Sequence, residues 1–133
     1  MKNIPNITES ELEVMKILWE KSPLLASEII ALLPEEINWS DQTVKTFLNR
    51  LLKKQAITHK KSGRNYIYYP AVSRDEYIKA ENKTFLHRVY DGAVGMLFSK
   101  FLEQEELTEK EIKHLEKILE QKKASKKNHR KFN

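Results

Sequence analysis

The side chains of this sequence best suited to chemistry are spaced along one predicted helix, WSDQTVKTFLNRLLKKQ (39–55). Helical spacing predicts that one side of this helix is apolar and buried: Val44, Phe47, Leu48 and Leu51. The other side carries amides, a hydroxyl and cations: Gln42, Lys45, Thr46, Asn49, Arg50 and Lys53. Groups of this kind form hydrogen bonds with anions and with the edges of nucleic-acid bases.

Positive charge is concentrated around the same helix. Residues 40–64 contain seven lysines and arginines against Asp41 alone, whereas residues 1–39 and 73–121 are net acidic. The last segment, 122–133, contains six cations and no acid. A basic centre between acidic neighbours predicts a polyanionic partner.

Several function classes lack the residues that they need. The chain has no cysteine, so disulfides, thiolate metal sites and a cysteine nucleophile are excluded. The four histidines have no i,i+4 spacing, and neither a phosphate-binding loop nor a GxGxxG motif is present. We therefore expect no enzyme, no catalytic residue, no metal and no cofactor. The sequence has no signal peptide and no apolar run near the roughly 18 residues of a membrane span, which predicts a cytoplasmic protein without membrane insertion.

The order of predicted elements defines the fold class. Three capping boxes predict helix starts: Thr8 with Glu11, Ser73 with Glu76, and Thr108 with Glu111. A second helix is predicted over 24–33, and a third from Ser40 to about residue 55. The segments AITHKK and NYIYYPAV then flank the turn SGRN, which is typical of a β-hairpin. Three helices and a basic-tipped hairpin predict a mainly α protein with a winged helix-turn-helix DNA-binding domain.

The chain is predicted to divide into the DNA-binding domain (1–72), a helical dimerisation domain (73–122) and a basic, disordered tail (123–133). About 50 residues are marginal for an independent core, so we expect the middle segment to pair with a second chain. The alternative is that its apolar side packs on the chain's own N-terminal domain. The predicted interface residues are Phe85, Val89, Met96, Leu97, Phe101, Ile112, Leu115, Ile118 and Leu119.

The DNA contacts are predicted from the chemistry of each side chain. Arg50 suits a guanine, Asn49 or Gln42 suits an adenine, and a threonine methyl suits a thymine methyl. The predicted base-contacting residues are Gln42, Lys45, Thr46, Asn49 and Arg50. The predicted backbone-contacting residues are Ser40, Thr43, Lys53 and Lys54, with Lys60, Lys61, Ser62 and Arg64 near the wing tip.

Three motifs resemble the penicillinase-repressor (BlaI/MecI) family over residues 7 to about 122. They are E-x-E-V-M-x-x-L-W, W-S-x-x-T-V-K-T-x-x-x-R-L-x-K-K, and a wing that ends Y-Y-P. The resemblance implies a winged-helix homodimer that binds palindromic operators with TACA and TGTA elements. It implies repression of β-lactamase or penicillin-resistance genes, with Thr46 and Arg50 as the leading base contacts.

The resemblance also implies a route of induction. In the best-known members a membrane sensor protease triggers cleavage before the phenylalanine of an Asn-Phe pair in the dimerisation helices. The matching pair here is Lys100-Phe101, in which lysine replaces asparagine. The alternative interpretation is that Phe101 packs in the core of the dimer. The related copper-responsive repressors carry a cysteine cluster, which this chain lacks.

Two alternatives to this function remain open on the sequence. One is a winged-helix protein–protein interaction module whose basic side binds an acidic partner. The other is a DNA-binding repressor that responds to a different signal.

Overall fold

The structure is a computed structural model that describes residues 3–131, with side chains described as far as Lys126. The chain forms two compact units, Met1–Thr84 and Phe85–Asn133. The first unit contains α1 (Glu9–Glu20), β1 (Leu24–Leu25), α2 (Ala26–Leu32), α3 (Asp41–Lys53), β2 (Ile57–Ser62) and β3 (Asn65–Pro70). The later helices are α4 (Arg74–Tyr90), α5 (Val94–Gln104) and α6 (Glu109–Lys131).

Reciprocal hydrogen bonds form at the three predicted capping boxes. At the start of α1, the backbone N–H of Glu11 donates to the Thr8 hydroxyl at 3.2 Å, and the Thr8 N–H donates to the Glu11 carboxylate at 2.9 Å. The same pair of bonds precedes α4 at Ser73 and α6 at Thr108. Because these bonds satisfy N–H groups that the helix leaves unpaired, a local sequence signal fixes where each helix begins.

The predicted hairpin is present and defines the wing. Strands β2 and β3 pair antiparallel from Ile57 opposite Pro70 to Ser62 opposite Asn65. Gly63 takes a positive φ of 63° in the turn, which glycine adopts without steric strain. Three helices followed by this hairpin confirm the winged helix-turn-helix fold.

The sequence prediction was wrong at the start of the second helix. Leu24 and Leu25 form β1, which pairs antiparallel with β3 opposite Tyr68 and Ile67, and α2 begins only at Ala26. The sheet therefore has three strands in the order β1-β3-β2. A two-residue strand carries no periodic signal, and the unpaired edge of β3 is available only in the folded chain.

The core of the first unit lies where the three helices meet the base of the wing. Met15 and Leu18 of α1, Ile29 of α2 and Leu51 of α3 are fully buried, and Ile57 of β2 is 2% exposed. Leu12 and Trp19 are partly buried against this core. The aliphatic side chains at helical spacing thus hold α3 and the wing in one packed unit.

One charged group is buried with this core. Glu11 is 0% exposed, and its Oε1 atom accepts hydrogen bonds from the Thr8 N–H and from the ammonium of Lys54, which follows α3. Burial raises the pKa of the Glu11 carboxyl, but the hydrogen bonds from Lys54 and Thr8 lower it more. The resulting pKa lies below the ordinary value of 4.5.

The first turns of α4 belong to the first unit and pack on α1. The Tyr77 ring lies 5.5 Å from the Trp19 ring, and the Trp19 indole N–H donates to the Val72 carbonyl at 2.8 Å. The compact units divide at residues 84 and 85, within α4, whereas the sequence predicts a domain boundary after residue 72. The division into functional domains stays a prediction.

The second unit has no buried side chain among residues 85–126, for which exposure is described. Helix α6 continues to Lys131, into the segment that the sequence predicts to be a disordered tail. Lysine, alanine and arginine make up most of this extension and have favourable helix propensities. Residues 132 and 133 of that tail lie outside the described residues. No described helix is both long and apolar enough to cross a membrane.

The Glu11–Lys54 pair predicts an acid-sensitive core. Because the carboxyl has a lower pKa in the folded state, its contribution is present above about pH 4.5 and is lost as the pH falls through the folded pKa. We expect Glu11→Gln to lower the free energy of unfolding by about 1–3 kcal/mol at pH 7 and by less at pH 3. Urea unfolding followed by tryptophan fluorescence measures it, since Trp19 and Trp39 both lie in the first unit.

The matched control is Glu13→Gln, which removes an α1 carboxylate that pairs with Lys16 at 3.7 Å on the surface. Equal losses for the two variants at both pH values would show that burial of Glu11 has no special effect.

Candidate nucleic-acid interface

Helix α3 presents a polar side because its apolar residues are used in the core. Val44, Leu48 and Leu51 are at most 1% exposed. The predicted base-contacting residues lie on the remaining surface: Gln42, Lys45, Asn49 and Arg50 are exposed, and Thr46 is half-buried. The structure therefore brings these five residues together on one helix of the first unit.

Ser40 and Thr43, which are predicted to contact the DNA backbone, form the cap at the start of α3. The Ser40 hydroxyl accepts from the Thr43 N–H at 3.1 Å and lies 2.9 Å from the Thr43 hydroxyl. Ser40 stays exposed and Thr43 half-buried, so the cap that begins the helix also lies at the surface.

Thr46 has its hydroxyl occupied within the helix. Its Oγ1 donates to the Gln42 carbonyl at 2.9 Å. The hydroxyl hydrogen is thereby used within the helix, while the methyl, which is the group predicted to meet a thymine methyl, takes no part in this bond.

Arg50 is held near an aromatic cluster at the other edge of the polar side. Its guanidinium carbon lies 5.9 Å from the centre of the Phe47 ring, and that ring packs 4.9 Å from the Trp39 ring. A cation over a ring face is attracted to it weakly at an exposed site. The contact limits the positions of Arg50 while its five N–H donors stay available.

Lys53 and Lys54, both predicted to hold phosphates, have different surroundings. Lys53 is exposed, whereas the Lys54 ammonium lies on the buried carboxylate of Glu11. This pairing was not predicted from the sequence, although an acid within the apolar face of the first helix was a signal for it. The structure therefore gives Lys54 a partner other than a phosphate.

The wing carries cations on both of its surfaces. Its register places Lys61 opposite Tyr66 and Lys60 opposite Ile67, and successive residues of a strand project to opposite sides. Lys60 lies 5.5 Å from the centre of the Tyr69 ring. The predicted wing residues Lys60, Lys61, Ser62 and Arg64 are all exposed.

A cleft of about 330 Å³ lies between the starts of α2 and α3 and the wing. Lys45 and Arg64 both line it, so two cations that are 19 positions apart in the sequence meet at one place. Ser27, Asp41 and Asn65 line it as well. The sequence singles out Asp41 only as the one acid of the basic segment and does not predict the cleft, because the cleft is formed by segments distant in the chain.

The charge distribution of this surface suits a polyanion. The polar side of α3 and the wing tip belong to residues 40–65, in which Asp41 is the single acid. Every charged residue that lines the cleft lies in the same segment. In the part of the chain with described side chains, no cluster of histidine, aspartate and glutamate has the arrangement of a metal site. The groups present can donate hydrogen bonds and neutralise phosphates.

The second unit holds the residues predicted for a protein interface. Seven are exposed: Phe85, Val89, Met96, Phe101, Ile112, Ile118 and Leu119. Leu97 and Leu115 are half-buried. Val94, Phe98 and Leu102 of α5 were not predicted, but they are 47%, 54% and 48% exposed and extend the same apolar surface. An apolar surface of this kind on a small unit is typical of an interaction site.

The Lys100-Phe101 pair lies within α5. Both residues are exposed. Their backbone is hydrogen-bonded in the helix, so a protease would have to open this turn before it could cleave the bond.

Comparisons with known proteins agree with this geometry. The penicillinase repressor family model matches residues 7–121. The chain is 41% identical to the penicillinase repressor of Bacillus licheniformis over 127 residues, which cover 96% of this chain and 99% of that protein. It is 35% identical to the methicillin resistance regulatory protein MecI of Staphylococcus aureus (strain N315) over 116 residues, 87% of this chain and 94% of that one.

Two solved structures match the winged-helix part. The solution structure of the DNA-binding domain of the repressor BlaI has a TM-score of 0.51 and 43% identity over 58% of this chain and 94% of that domain. The monomeric form of Bacillus licheniformis BlaI in complex with the blaP half-operator has a TM-score of 0.50 with the same identity and coverage. The match of the family model over most of the chain and the identity to these relatives show that the chain belongs to the penicillinase repressor family.

Proposed function

We propose that this protein is a homodimeric transcriptional repressor that binds a palindromic operator and controls β-lactamase or penicillin-resistance genes. The observation that carries the proposal is the polar side of α3. Its amide, hydroxyl and cationic groups lie on the side of the helix away from the buried residues Val44, Leu48 and Leu51. A B-DNA major groove admits one α-helix and offers the hydrogen-bonding partners of these groups. The relatives named penicillinase repressor and MecI support it.

Base readout is assigned to α3. Arg50 donates to a guanine, Gln42 or Asn49 pairs with an adenine, and the Thr46 methyl packs on a thymine methyl. The internal hydrogen bond of the Thr46 hydroxyl favours this last assignment, because it uses the hydroxyl hydrogen that could otherwise be donated to a base.

Backbone contacts are assigned to the edges of α3 and to the wing. Ser40, Thr43 and Lys53 lie next to the base-reading residues of α3. Lys45 lines the cleft between α3 and the wing. The wing contributes Lys60, Lys61, Ser62 and Arg64, whose exposure on a hairpin tip suits a neighbouring phosphate strand. Lys54 is left out, because its ammonium is already paired with Glu11.

Dimerisation is assigned to α4, α5 and α6. Leu119 is 63% exposed and Phe98 is 54% exposed in the isolated chain, which is unfavourable for an apolar surface in water. A twofold pairing of this surface would bury it and place two copies of α3 about one or two helical turns apart on DNA.

Relief of repression is assigned to the dimerisation helices. Cleavage at Lys100-Phe101, by a membrane sensor protease or a downstream protease, would separate α6 from the rest of the chain and remove part of the apolar surface. The lysine at this position sets the chain apart from the Asn-Phe pattern of the family's best-known members, so a different signal is the alternative.

The experiment that tests the function compares operator and non-operator DNA. We expect the full chain to bind a labelled TACA/TGTA palindrome more tightly than a scrambled duplex of equal length in fluorescence anisotropy. Arg50→Ala should reduce this discrimination by about 1–3 kcal/mol, because a bidentate contact to guanine is lost. Equal binding of the wild type to both duplexes, across a salt series, would contradict the repressor function and favour an acidic protein partner.

Alanine variants of Lys53 and Lys54 form a matched pair that tests the contacts to the DNA backbone. Lys53→Ala should weaken all duplexes about equally and reduce the salt slope of binding by about one, because one phosphate contact is lost. Lys54→Ala should leave the salt slope unchanged and lower the free energy of unfolding, because its partner is Glu11. If Lys54→Ala reduces the salt slope as much as Lys53→Ala does, Lys54 reaches a phosphate after all.

The dimer interface is tested with a charge at Leu119. Leu119→Asp should convert the dimer to monomers in sedimentation velocity and raise the dimer dissociation constant at least about a hundredfold, because the leucine occurs twice in a twofold interface. Leu32→Asp is the control, since this α2 leucine is 41% exposed and lies in the first unit. A Leu119→Asp protein that stays dimeric would place the interface elsewhere.

A further inference from the structure

Asp41 is an exception to the charge of the DNA-facing surface. It is the first residue of α3, it is exposed, and no other acid occurs between residues 37 and 73. It lines the cleft that Lys45 and Arg64 also line. Among the residues that the structure describes, Asp41 nevertheless forms no ion pair with either cation.

Stabilisation of the helix start is not by itself enough to account for Asp41. A carboxylate in the first turn is stabilising because the N-terminal end of a helix is positive. The Ser40 hydroxyl, however, already caps α3 through the Thr43 N–H at 3.1 Å. The same carboxylate lies on the surface assigned to DNA, where each phosphate repels it. A contact with a donor on the DNA would offset that repulsion.

The major groove restricts which donor this can be. An ionised carboxylate only accepts hydrogen bonds. Guanine presents two acceptors and thymine one, so both repel it. Adenine offers its N6 amino group between two acceptors, its own N7 and O4 of the paired thymine, whereas the N4 amino group of cytosine has an acceptor, O6 of the paired guanine, on one side only. Cytosine is therefore the base that a carboxylate selects.

We propose that Asp41 is a specificity-determining residue that accepts a hydrogen bond from the N4 amino group of one cytosine in each operator half-site. The proposal rests on the proposed function, because it requires α3 to lie in the major groove. Asp41 precedes Gln42 at the start of the helix, and recognition helices contact bases with their N-terminal residues. Lys45 and Arg64 line the same cleft, and their positive charges reduce the repulsion that the carboxylate meets from the flanking phosphates.

The experiment measures base preference position by position. Each base pair of the half-site is changed in turn to the other three, and the dissociation constants of the full chain are measured by anisotropy. The variants are Asp41→Asn and Asp41→Ala. For the wild type we expect one position at which replacing cytosine weakens binding about tenfold to a hundredfold.

Asparagine changes the chemistry of the contact in a diagnostic way. Its amide both donates and accepts, so it matches adenine bidentately. Asp41→Asn should therefore shift the preferred base at this one position from cytosine to adenine, whereas Asp41→Ala should remove the preference there. Both variants should also bind the duplexes that lack cytosine at this position somewhat more tightly than the wild type does, because the negative charge that repels the phosphates is removed.

Glu9→Gln is the matched control. Glu9 is the first residue of α1, is exposed, and occupies in that helix the position that Asp41 occupies in α3. It should leave base preference unchanged at all positions.

The outcomes separate this proposal from the function on which it rests. If Asp41→Asn and Asp41→Ala change affinity equally for every duplex, or leave the cytosine preference in place, the role of Asp41 is overturned and operator binding stands. If the wild type shows no base preference at any position, the operator function itself is overturned together with it.

Discussion

Burial of one side of α3 is the interaction on which the polar side of the same helix depends. Val44, Leu48 and Leu51 are at most 1% exposed, and burial of each aliphatic side chain contributes roughly 1.5–3 kcal/mol. Rotation of α3 by one residue would bring Lys45 or Asn49 into the core, where a polar group without partners is strongly unfavourable. The register of the core therefore decides which side chains face outward, and the polar side of α3 follows from it.

Long-range contacts near the two ends of α3 connect this surface to the rest of the first unit. The cleft joins the starts of α2 and α3 to the wing, while Glu11 of α1 holds Lys54 at the far end. The wing is itself held by β1, which pairs along the other edge of β3. A cation that the sequence groups with the DNA contacts thus has a structural role, because a buried carboxylate needs a positive partner more than a phosphate does.

The second unit has the opposite character. No side chain among residues 85–126 is buried, although α5 and α6 carry apolar residues at helical spacing. Fewer than 50 described residues are too few for a self-sufficient core, so the stability of these helices has to come from further apolar contact. The first unit, in contrast, contains a packed core of its own. This difference supports a twofold pairing of the second unit.

The sequence by itself determined the features that depend on neighbouring residues. Capping boxes at Thr8, Ser73 and Thr108 fixed the starts of three helices, the glycine of SGRN fixed the hairpin, and the spacing of Val44, Leu48 and Leu51 fixed the polar side of α3. These signals are readable because a hydrogen bond over three residues or a period of 3.6 is local.

Only the tertiary structure decided what depends on residues far apart in the chain. In the folded chain Leu24 and Leu25 pair with β3 as β1, and Lys54 pairs with Glu11, which lies 43 positions earlier in the sequence. Asp41 and Arg64 line the same cleft. Local periodicity contains no information on these pairings, because each forms only after the helices and the wing have packed around a common core.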